Sequence, residues 1–465
     1  MDTIVAIATP FGSAGIGIIR ISGDQAKSIL VQLFRATAEC RAESLDVASA
    51  PQFVSHCLTH GFIYDPSASQ YVDEVLAVYM PGPNSYTRED VVEIQSHSGF
   101  ILLQKILTLV LQHGARLAEP GEFTRRAFLN GRIDLSQAEA VIDMIQARSE
   151  QALALASSQL QGWMKRQISD LIDRLTDICI HLQAGVEFPD EVDGNLNDAD
   201  FKEAIQADLV DPIRKLLGNY QSAHVFRDGV RFSIVGRPNV GKSSLLNLLL
   251  ENSKAIVTPY PGTTRDPVEG FVQIRGIPIL FADTAGLRAS EDPIEQIGIQ
   301  KTRECIDKAD FIFFVLEAHQ PVTEEDREIY RQVQHKRIVL LINKMDLVSG
   351  VPRWASIEFP DLMKVPVSAL TGEGLPELKE ALLSVLSAAP LSSAHESVPT
   401  LRQKLALESA LESLVSARQS IDQGIPDDLI LQDLESANAE LKSIVGQGAS
   451  VDLLDEIFSR FCIGK

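Results

Sequence analysis

The sequence predicts a multidomain fold of class α/β plus α: an N-terminal α+β domain, a helical domain, and a doubly wound α/β domain inserted into the helical one. Three observations carry that expectation. Short β-prone runs mix with one helical run at the start, helical periodicity occupies two separate stretches, and between those stretches strands and helices alternate. A length of 465 residues suggests roughly two to four domains, with room for cores that need no disulfide or metal staples.

Residues 1–118 contain IGIIRIS, EVLAVYM and DVVEIQSH, each a short strand candidate, and the helical run FILLQKILTLVLQHG. Over 119–222 the pattern turns helical. Leu160, Met164, Ile168, Leu171, Leu175, Ile178 and Leu182 recur at spacings of three and four, the stripe of a long amphipathic helix packing in a bundle. Over 223–388 the runs RFSIV, IPILFAD, FIFFVLE, IVLLIN and KVPVS read as buried parallel strands, most of them separated by helical segments. The loop SAAPLSSAHESVPT then leads into a second helical part ending at residue 465, interrupted near its end by VGQGAS.

Composition narrows the function classes. Hydrophobic content of 45% and charged content of 23% are ordinary for a soluble chain. The formal net charge is −21 and no basic tail stands out, which argues against a protein held on nucleic acid mainly by phosphate neutralisation. A local basic patch or a basic partner can still bring RNA in. Cys40, Cys57, Cys179, Cys305 and Cys462 form no CxxC pair, so a structural zinc has no support and a reducing compartment fits. The N-terminus lacks the basic start and apolar run of a signal peptide, and no stretch of about 20 apolar residues occurs. The expectation is a cytoplasmic protein without a membrane.

The chemistry is concentrated in the α/β part. Gly236 to Ser243 reads GRPNVGKS, the GxxxxGK[ST] pattern, directly after the strand RFSIV and before the helical run KSSLLNLLL. Its glycines let backbone N–H groups turn onto phosphates at a helix N-terminus. Lys242 would reach the β- and γ-phosphates, and the Ser243 hydroxyl would bind Mg²⁺. The base is chosen elsewhere: Asn343-Lys344-Met345-Asp346 ends the strand IVLLIN, and the Asp346 carboxylate can accept from guanine N1–H and the exocyclic amine, a donor pair adenine lacks. Ser368-Ala369-Leu370 would support the base. Asp283-Thr284-Ala285-Gly286 ends IPILFAD, where the carboxylate can hold the Mg²⁺ shell and the Gly286 amide can sense the γ-phosphate. Gly262-Thr263-Thr264-Arg265-Asp266 offers a second hydroxyl for Mg²⁺. GTP binding and hydrolysis are therefore expected. Ras-like GTPases place a water-orienting glutamine just after DTAG, whereas Leu287 stands here, so another residue or a partner must orient the water.

These residues resemble the TrmE-type GTPases closely. GRPNVGKSS, GTTRD, DTAGLR and NKMD carry the likeness in the α/β part. DTIVAIATPFGSAGIGIIRISG, PGPNSYTREDVVEIQSHSG, EPGEFTRRAFLNGRIDLSQAEAVIDMI and the terminal FCIGK extend it over essentially the whole chain. The resemblance implies a homodimer that modifies C5 of the wobble uridine of certain tRNAs by adding a (carboxymethyl)aminomethyl group. It implies a flavoprotein partner, MnmG (GidA), in a heterotetramer or larger complex, and a one-carbon unit from 5-formyl- or methylene-tetrahydrofolate. The N-terminal domain would bind folate and dimerise, with Arg20, Glu93, Arg132 and Lys465 on folate-contacting positions. Arg132 stands where the family often has lysine, and TRED and HSG replace the more usual TGED and HGG.

The same resemblance implies a GTP site made of Asn239, Val240, Gly241, Lys242, Ser243, Ser244, Thr258, Pro259, Tyr260, Pro261, Gly262, Thr263, Thr264, Asp283 to Gly286, Asn343 to Asp346, and Ser368 to Leu370. Mg²⁺ would go to Ser243 and Thr264, and K⁺ to Asn239, Thr258, Tyr260 and Thr263. The K⁺ would sit where an arginine finger sits in other GTPases, with Arg237 and Arg265 as rivals. Glu295 would orient the attacking water; the residues alone do not separate it from Glu291 and Asp292. With Lys242, Asp283 and Glu295, Cys462 completes the catalytic candidates, either as a thiol near the folate pocket or as a small buried hydrophobe. Two other classes fit parts of the pattern. A ribosome-assembly GTPase would share GRPNVGKSS and DTAGL but usually adds an RNA-binding domain, and a folate-dependent transferase would leave the GTP motifs unexplained.

Overall fold

The computed structural model describes residues 2–10, 12, 14–37, 53–187, 199–251, 270–274, 277–283, 304–386 and 398–465. These form two compact units. One contains 1–142, 160–194 and 426–465, and the other 143–159 and 195–425. Both mix helix and sheet.

The first unit is built on a seven-stranded sheet of β1 (Ile4–Ile7), β2 (Gly17–Ser22), β3 (Phe34–Ala36), β4 (Thr59–Asp65), β5 (Gln70–Met80), β6 (Val91–Ser96) and β7 (Arg116–Leu117), in the order β3-β4-β5-β6-β2-β1-β7. All neighbours are antiparallel except β1 and β7. Alternation along β2 buries Ile19 and Ile21 against Leu103, Ile106 and Val110 of the helix Phe100–Gln112. The other face of β2 carries Arg20, paired in register with Glu93 of β6. The predicted stripe forms the helix Trp163–Glu187, with Met164, Ile168, Leu171, Leu175 and Leu182 buried; it packs on the helix Asp427–Val445. At the C-terminal end Phe458 and Phe461 join Leu135 and Ala138 in a small core, which anchors the last residues of the chain to this unit.

The second unit is the doubly wound part. Strands β8 (Val230–Val235), β9 (Gly270–Ile274), β10 (Ile277–Asp283), β11 (Phe311–Glu317), β12 (Arg337–Asn343) and β13 (Met363–Pro366) line up as β13-β12-β11-β8-β10-β9. Only the β9–β10 pair is antiparallel. Every residue of β11 is buried, the mark of a central parallel strand covered on both faces. Helices Asp211–Asp228 and Leu401–Asp422 pack together, with Arg227 of the first donating to the Pro399 carbonyl just before the second at 2.7 Å, and Lys202 of the preceding helix Ala199–Ala204 pairs with Asp422 at 2.6 Å. The final helical stretch is broken once more than its periodicity suggests. Gly424, in the left-handed region at φ +64°, and Pro426 separate Leu401–Asp422 from Asp427–Val445.

No described helix is long and apolar enough to cross a membrane.

Candidate functional site

The nucleotide elements sit at the C-terminal ends of β8, β11, β12 and β13, where an open α/β sheet places its ligands. Between β8 and the helix Lys242–Glu251 the chain makes a tight loop with Asn239 at φ +66° and Gly241 at φ +96°. A Cβ on Gly236 would lie 2.5 Å from the Val315 carbonyl oxygen, and one on Gly241 would lie 2.3 Å from Asn343 Nδ2, so neither position has room for a side chain. Val240 is buried in the core and anchors the loop from below. The Lys242 ammonium lies across the loop, donating to the carbonyl oxygens of Gly236 and Arg237 at 2.8 Å each. Ser243 and Ser244, in the first turn of the helix, are exposed.

Asn343 joins this loop to the base-recognition elements. Its Nδ2 donates to the Val240 carbonyl at 2.8 Å, and its Oδ1 accepts from the Ala369 amide at 3.0 Å. The side chain is almost wholly buried, so both bonds are made away from water. Lys344, in the left-handed region at φ +63°, forms a close ion pair with Glu317 at the end of β11. The Asp346 carboxylate accepts from the buried Ser368 hydroxyl at 2.6 Å, and the Met345 amide donates to the Val367 carbonyl at 3.2 Å. Leu370 is exposed. Asn239 to Ser244, Asn343 to Asp346 and Ser368 to Leu370 thus gather in one region. Only the backbone of Asp283 enters the description; it ends β10, in register with Ile234. Thr258, Pro259, Tyr260, Pro261, Gly262, Thr263, Thr264, Thr284, Ala285, Gly286 and Glu295 lie outside the described residues, as do Arg265, Leu287, Glu291 and Asp292.

Arg237 has a different employment from that of a finger. Its Nε bonds Asp326 Oδ1 at 2.7 Å, and Asp326 is fully buried as the reciprocal member of the Thr323 capping box on the helix Glu324–Val333. Moving the guanidinium to a substrate would leave that carboxylate unpaired in the interior. Neither Glu317 nor Asp326 stands out in the sequence, because each is an ordinary acid until the strand ends are placed.

In the first unit a second set of residues converges. Arg20 Nε bonds Glu93 Oε1 at 2.8 Å and its Nη1 donates to the Gly464 carbonyl at 2.9 Å. The guanidinium also lies over the rings of Tyr86, at 5.8 Å, and Phe123, at 5.7 Å. Arg132 covers Tyr86 at 4.7 Å. Burial pushes the Lys465 ammonium below its usual value; the Arg20 charge adds to this and Glu93 opposes it. Gly464 admits the chain end close to β1, since a Cβ there would lie 2.8 Å from the Ile7 carbonyl oxygen. Arg20 and Arg132 therefore share the Tyr86 ring, and Glu93 and Lys465 join them through Arg20, although the four are scattered from end to end of the sequence. Cys462 is exposed two residues before Gly464. Tyr86 and Phe123 are the contributors that sequence reading missed; Tyr86 lies inside PGPNSYTRED with no chemical signal of its own.

Beside this constellation lies an ion network whose Arg126, Glu89 and Glu122 are buried. Arg126 bonds Glu122 at 2.9 Å, Glu89 at 3.1 Å and Asp2 at 2.8 Å, and Arg116 grips Glu122 from the other side. Burial acts to raise the Glu122 pKa, but the Arg116 bond and the other donors outweigh it and hold the carboxyl below its usual range. Glu89 also accepts from Ser22 of β2 at 2.8 Å, which ties the 81–90 loop to the sheet.

Comparison with known proteins agrees with the motifs. A family model described as GTP-binding protein TrmE N-terminus matches residues 3–132, and one described as MnmE helical domain matches residues 135–462. The tRNA modification GTPase MnmE of a Thermoanaerobacter species is 43% identical over 100% of this chain and 99% of its own length. The protein of the same description from Clostridioides difficile is 42% identical over the same shares. Among solved structures, a variant of Aquifex aeolicus Era bound to GDP and AlF₄⁻ aligns with 40% of this chain and 67% of its own, at 30% identity and a TM-score of 0.29. With likeness running from end to end through both of its units, the chain belongs to the MnmE (TrmE) family of tRNA modification GTPases.

Proposed function

We propose that the chain hydrolyses GTP at the loop Gly236–Ser243 and couples that hydrolysis to adding a (carboxymethyl)aminomethyl group at C5 of the wobble uridine of certain tRNAs. The observation that carries the nucleotide half is the Asn343 bridge, which makes the phosphate loop and the base elements one hydrogen-bonded piece. Bound GTP would find loop amides and Lys242 at its phosphates, with the Asp346 carboxylate, oriented by Ser368, at its base. Lys242 would exchange its two carbonyl partners for phosphate oxygens. Glu295 would orient the attacking water, and Asp283 would hold the metal shell.

Ser243 suits Mg²⁺, being an exposed hydroxyl in the first turn of the helix, and Thr264 would complete the protein ligands. Asn239 would hold K⁺ with Thr258, Tyr260 and Thr263; the ion would supply positive charge between the phosphates, a role Arg237 cannot take without abandoning Asp326. K⁺-dependent pairing of the GTPase domains in a homodimer would then drive hydrolysis. The Arg20–Glu93 pair suits a reduced folate, offering a fork of donors to carboxylates or carbonyls and an acceptor to the amide-like donors of a pterin. Lys465, disfavoured as a cation where it stands, would be stabilised by an anionic ligand. A flavoprotein, MnmG, would complete the chemistry in complex with this chain, in the cytoplasm.

Mass spectrometry of tRNA nucleosides from cells lacking the protein tests the task. C5-modified wobble uridines are expected to vanish and to return with the intact chain but not with Lys242→Ala. Unchanged nucleosides with intact GTP hydrolysis would replace this reading by ribosome assembly. Phosphate release at equal rates in K⁺ and Na⁺ would remove the ion-dependent part.

A further inference from the structure

Five described non-glycine residues have positive φ: His56, Ser69, Arg88, Asn239 and Lys344. Asn239 and Lys344 belong to the nucleotide elements. His56, at +60°, and Arg88, at +61°, line one pocket of about 490 Å³ together with Met80, Pro83, Tyr86 and Arg132. A left-handed arginine is sterically disfavoured where glycine would be at ease, and such strain gathers at sites that use it.

We propose that this pocket takes the oligo-γ-glutamate tail of a reduced folate, with Arg88 and Arg132 pairing successive carboxylates. The proposal rests on the folate reading given above and extends it to a part of the ligand that Arg20 and Glu93 do not address. Charge is the first argument. The chain carries a formal −21, yet the pocket lining holds two guanidiniums and no carboxylate. Neither Arg88 nor Arg132 is paired with a carboxylate among the described residues, in contrast to Arg20, Arg126 and Arg237. The acids beside Arg88 are occupied elsewhere: Glu89 by Ser22 and Arg126, and Asp90 by the Tyr79 hydroxyl at 2.8 Å and the Gly82 amide at 3.0 Å.

Position is the second argument. Tyr86 is covered by Arg132 and by Arg20, so the pocket and the Arg20–Glu93 pair share one ring as a common wall. Arg88 is fixed at the rim through Nη1, which donates to the Asn130 carbonyl at 2.9 Å; the rest of its five-donor fork is left for a ligand. Asn130 in turn donates to the Thr87 carbonyl at 2.6 Å. His56 serves as a clamp: its Nε2–H donates to the Asn84 carbonyl and its Nδ1 accepts from the Ser55 hydroxyl, both at 2.7 Å, holding the rim loop in place. A concave cationic pocket continuous with a folate-type constellation fits a short polyanion tethered to that ligand better than it fits a long nucleic-acid backbone.

The test is calorimetric titration of the full chain with the mono- and triglutamate forms of 5-formyl-tetrahydrofolate, at low and high salt. The triglutamate is expected to bind at least about tenfold more tightly at low salt, and salt is expected to narrow the gap. Arg88→Gly relaxes the backbone, so its thermal midpoint is expected at or above that of the parent, while the affinity ratio falls to about one. Arg88→Lys is expected to keep part of the ratio. A parent ratio of one overturns the tail site and leaves the folate reading standing. Failure to bind either form overturns both. If Arg88→Gly lowers tRNA retention and leaves the ratio intact, the pocket is a nucleic-acid contact and the proposal falls.

Discussion

The two regions proposed to carry the chemistry are built on opposite plans. The nucleotide region is made largely of backbone: loop amides, strand ends and glycines whose Cβ positions are already filled by neighbours, with Asn343 as the tie. The Arg20 region is made of long side chains brought from β2, the 81–90 loop, the segment after the helix Glu122–Leu129, and the chain end. A backbone site is encoded by contiguous residues and is damaged by changes in local geometry. A side-chain site is encoded by the fold, and it is damaged most by whatever disturbs the platform beneath it.

The strongest test of that contrast is the platform itself. Arg126→Met strips a guanidinium from Glu122, Glu89 and Asp2; Arg116 still holds Glu122 and Asp2, so Glu89 is the buried carboxylate left without a cation, at a typical cost of about 3 kcal/mol. Chemical denaturation should show the first unit melting early, with GTP hydrolysis by the second unit largely retained. Simultaneous loss of both would break the comparison. Acid supplies a parallel reading. The Glu122 carboxyl titrates below its unfolded value, so its stabilisation is fully present above that value, about 4.3, and is lost as pH falls through the lower folded one. A plot of stability against pH should therefore fall in this unit below about pH 4, and the fall should be smaller in a Glu122→Gln background, where Asp2 and Asp65, also held below their usual range by basic neighbours, supply what remains.

On the nucleotide side, Asp346→Asn keeps a partner for Ser368 but presents a donor where guanine needs an acceptor. Losing charge-assisted bonds to two donors is worth about 3 kcal/mol, so GTP affinity should drop roughly a hundredfold with the melting temperature little changed. Unchanged affinity in a filter-binding assay would mean that the base is read elsewhere.

Asn343→Ala is the next step down. It leaves the Val240 carbonyl and the Ala369 amide without their buried partner, at about 2 kcal/mol for the two together. Here the contrast sharpens, because the residue serves geometry as much as ligand. Stability and GTP affinity should fall together, whereas Asp346→Asn should move affinity alone. Equal effects of the two variants on both quantities would erase the distinction.

The difference in plan also explains what the sequence made legible. The strands RFSIV, IPILFAD, FIFFVLE, IVLLIN and KVPVS emerge within a residue or two of their positions, because buried parallel strands are apolar throughout and short. β9 escaped notice: Gly-Phe-Val-Gln-Ile is too short and too mixed to announce an edge strand. The phosphate loop and the Asn343–Asp346 segment were legible as motifs, since their chemistry is local. Arg20, Glu93, Arg132 and Lys465 come together as proposed folate positions only through resemblance; nothing in spacing reveals that positions 20 and 464 share a hydrogen bond. Tyr86 could not be found at all, because its role comes from two arginines approaching its ring from distant segments. The NKMD segment places Asn343 among the base-recognition candidates, and the structure adds that its amide is spent on holding two loops together.

The mildest perturbation asks whether fork geometry matters in the side-chain region. Arg20→Lys preserves the charge beside Glu93 but cannot donate at once to Glu93, to the Gly464 carbonyl and across the Tyr86 ring. The sheet should tolerate it, since Arg20 lies on the face opposite the buried Ile19 and Ile21. The expected result is a loss of about 1.4 kcal/mol, or tenfold, in affinity for monoglutamyl 5-formyl-tetrahydrofolate, with no change in melting temperature or GTP hydrolysis. Should lysine serve as well as arginine, the pair would be acting through charge alone. The anchoring of the C-terminal Gly464 by Arg20 would then be a feature of the fold and not of the ligand site.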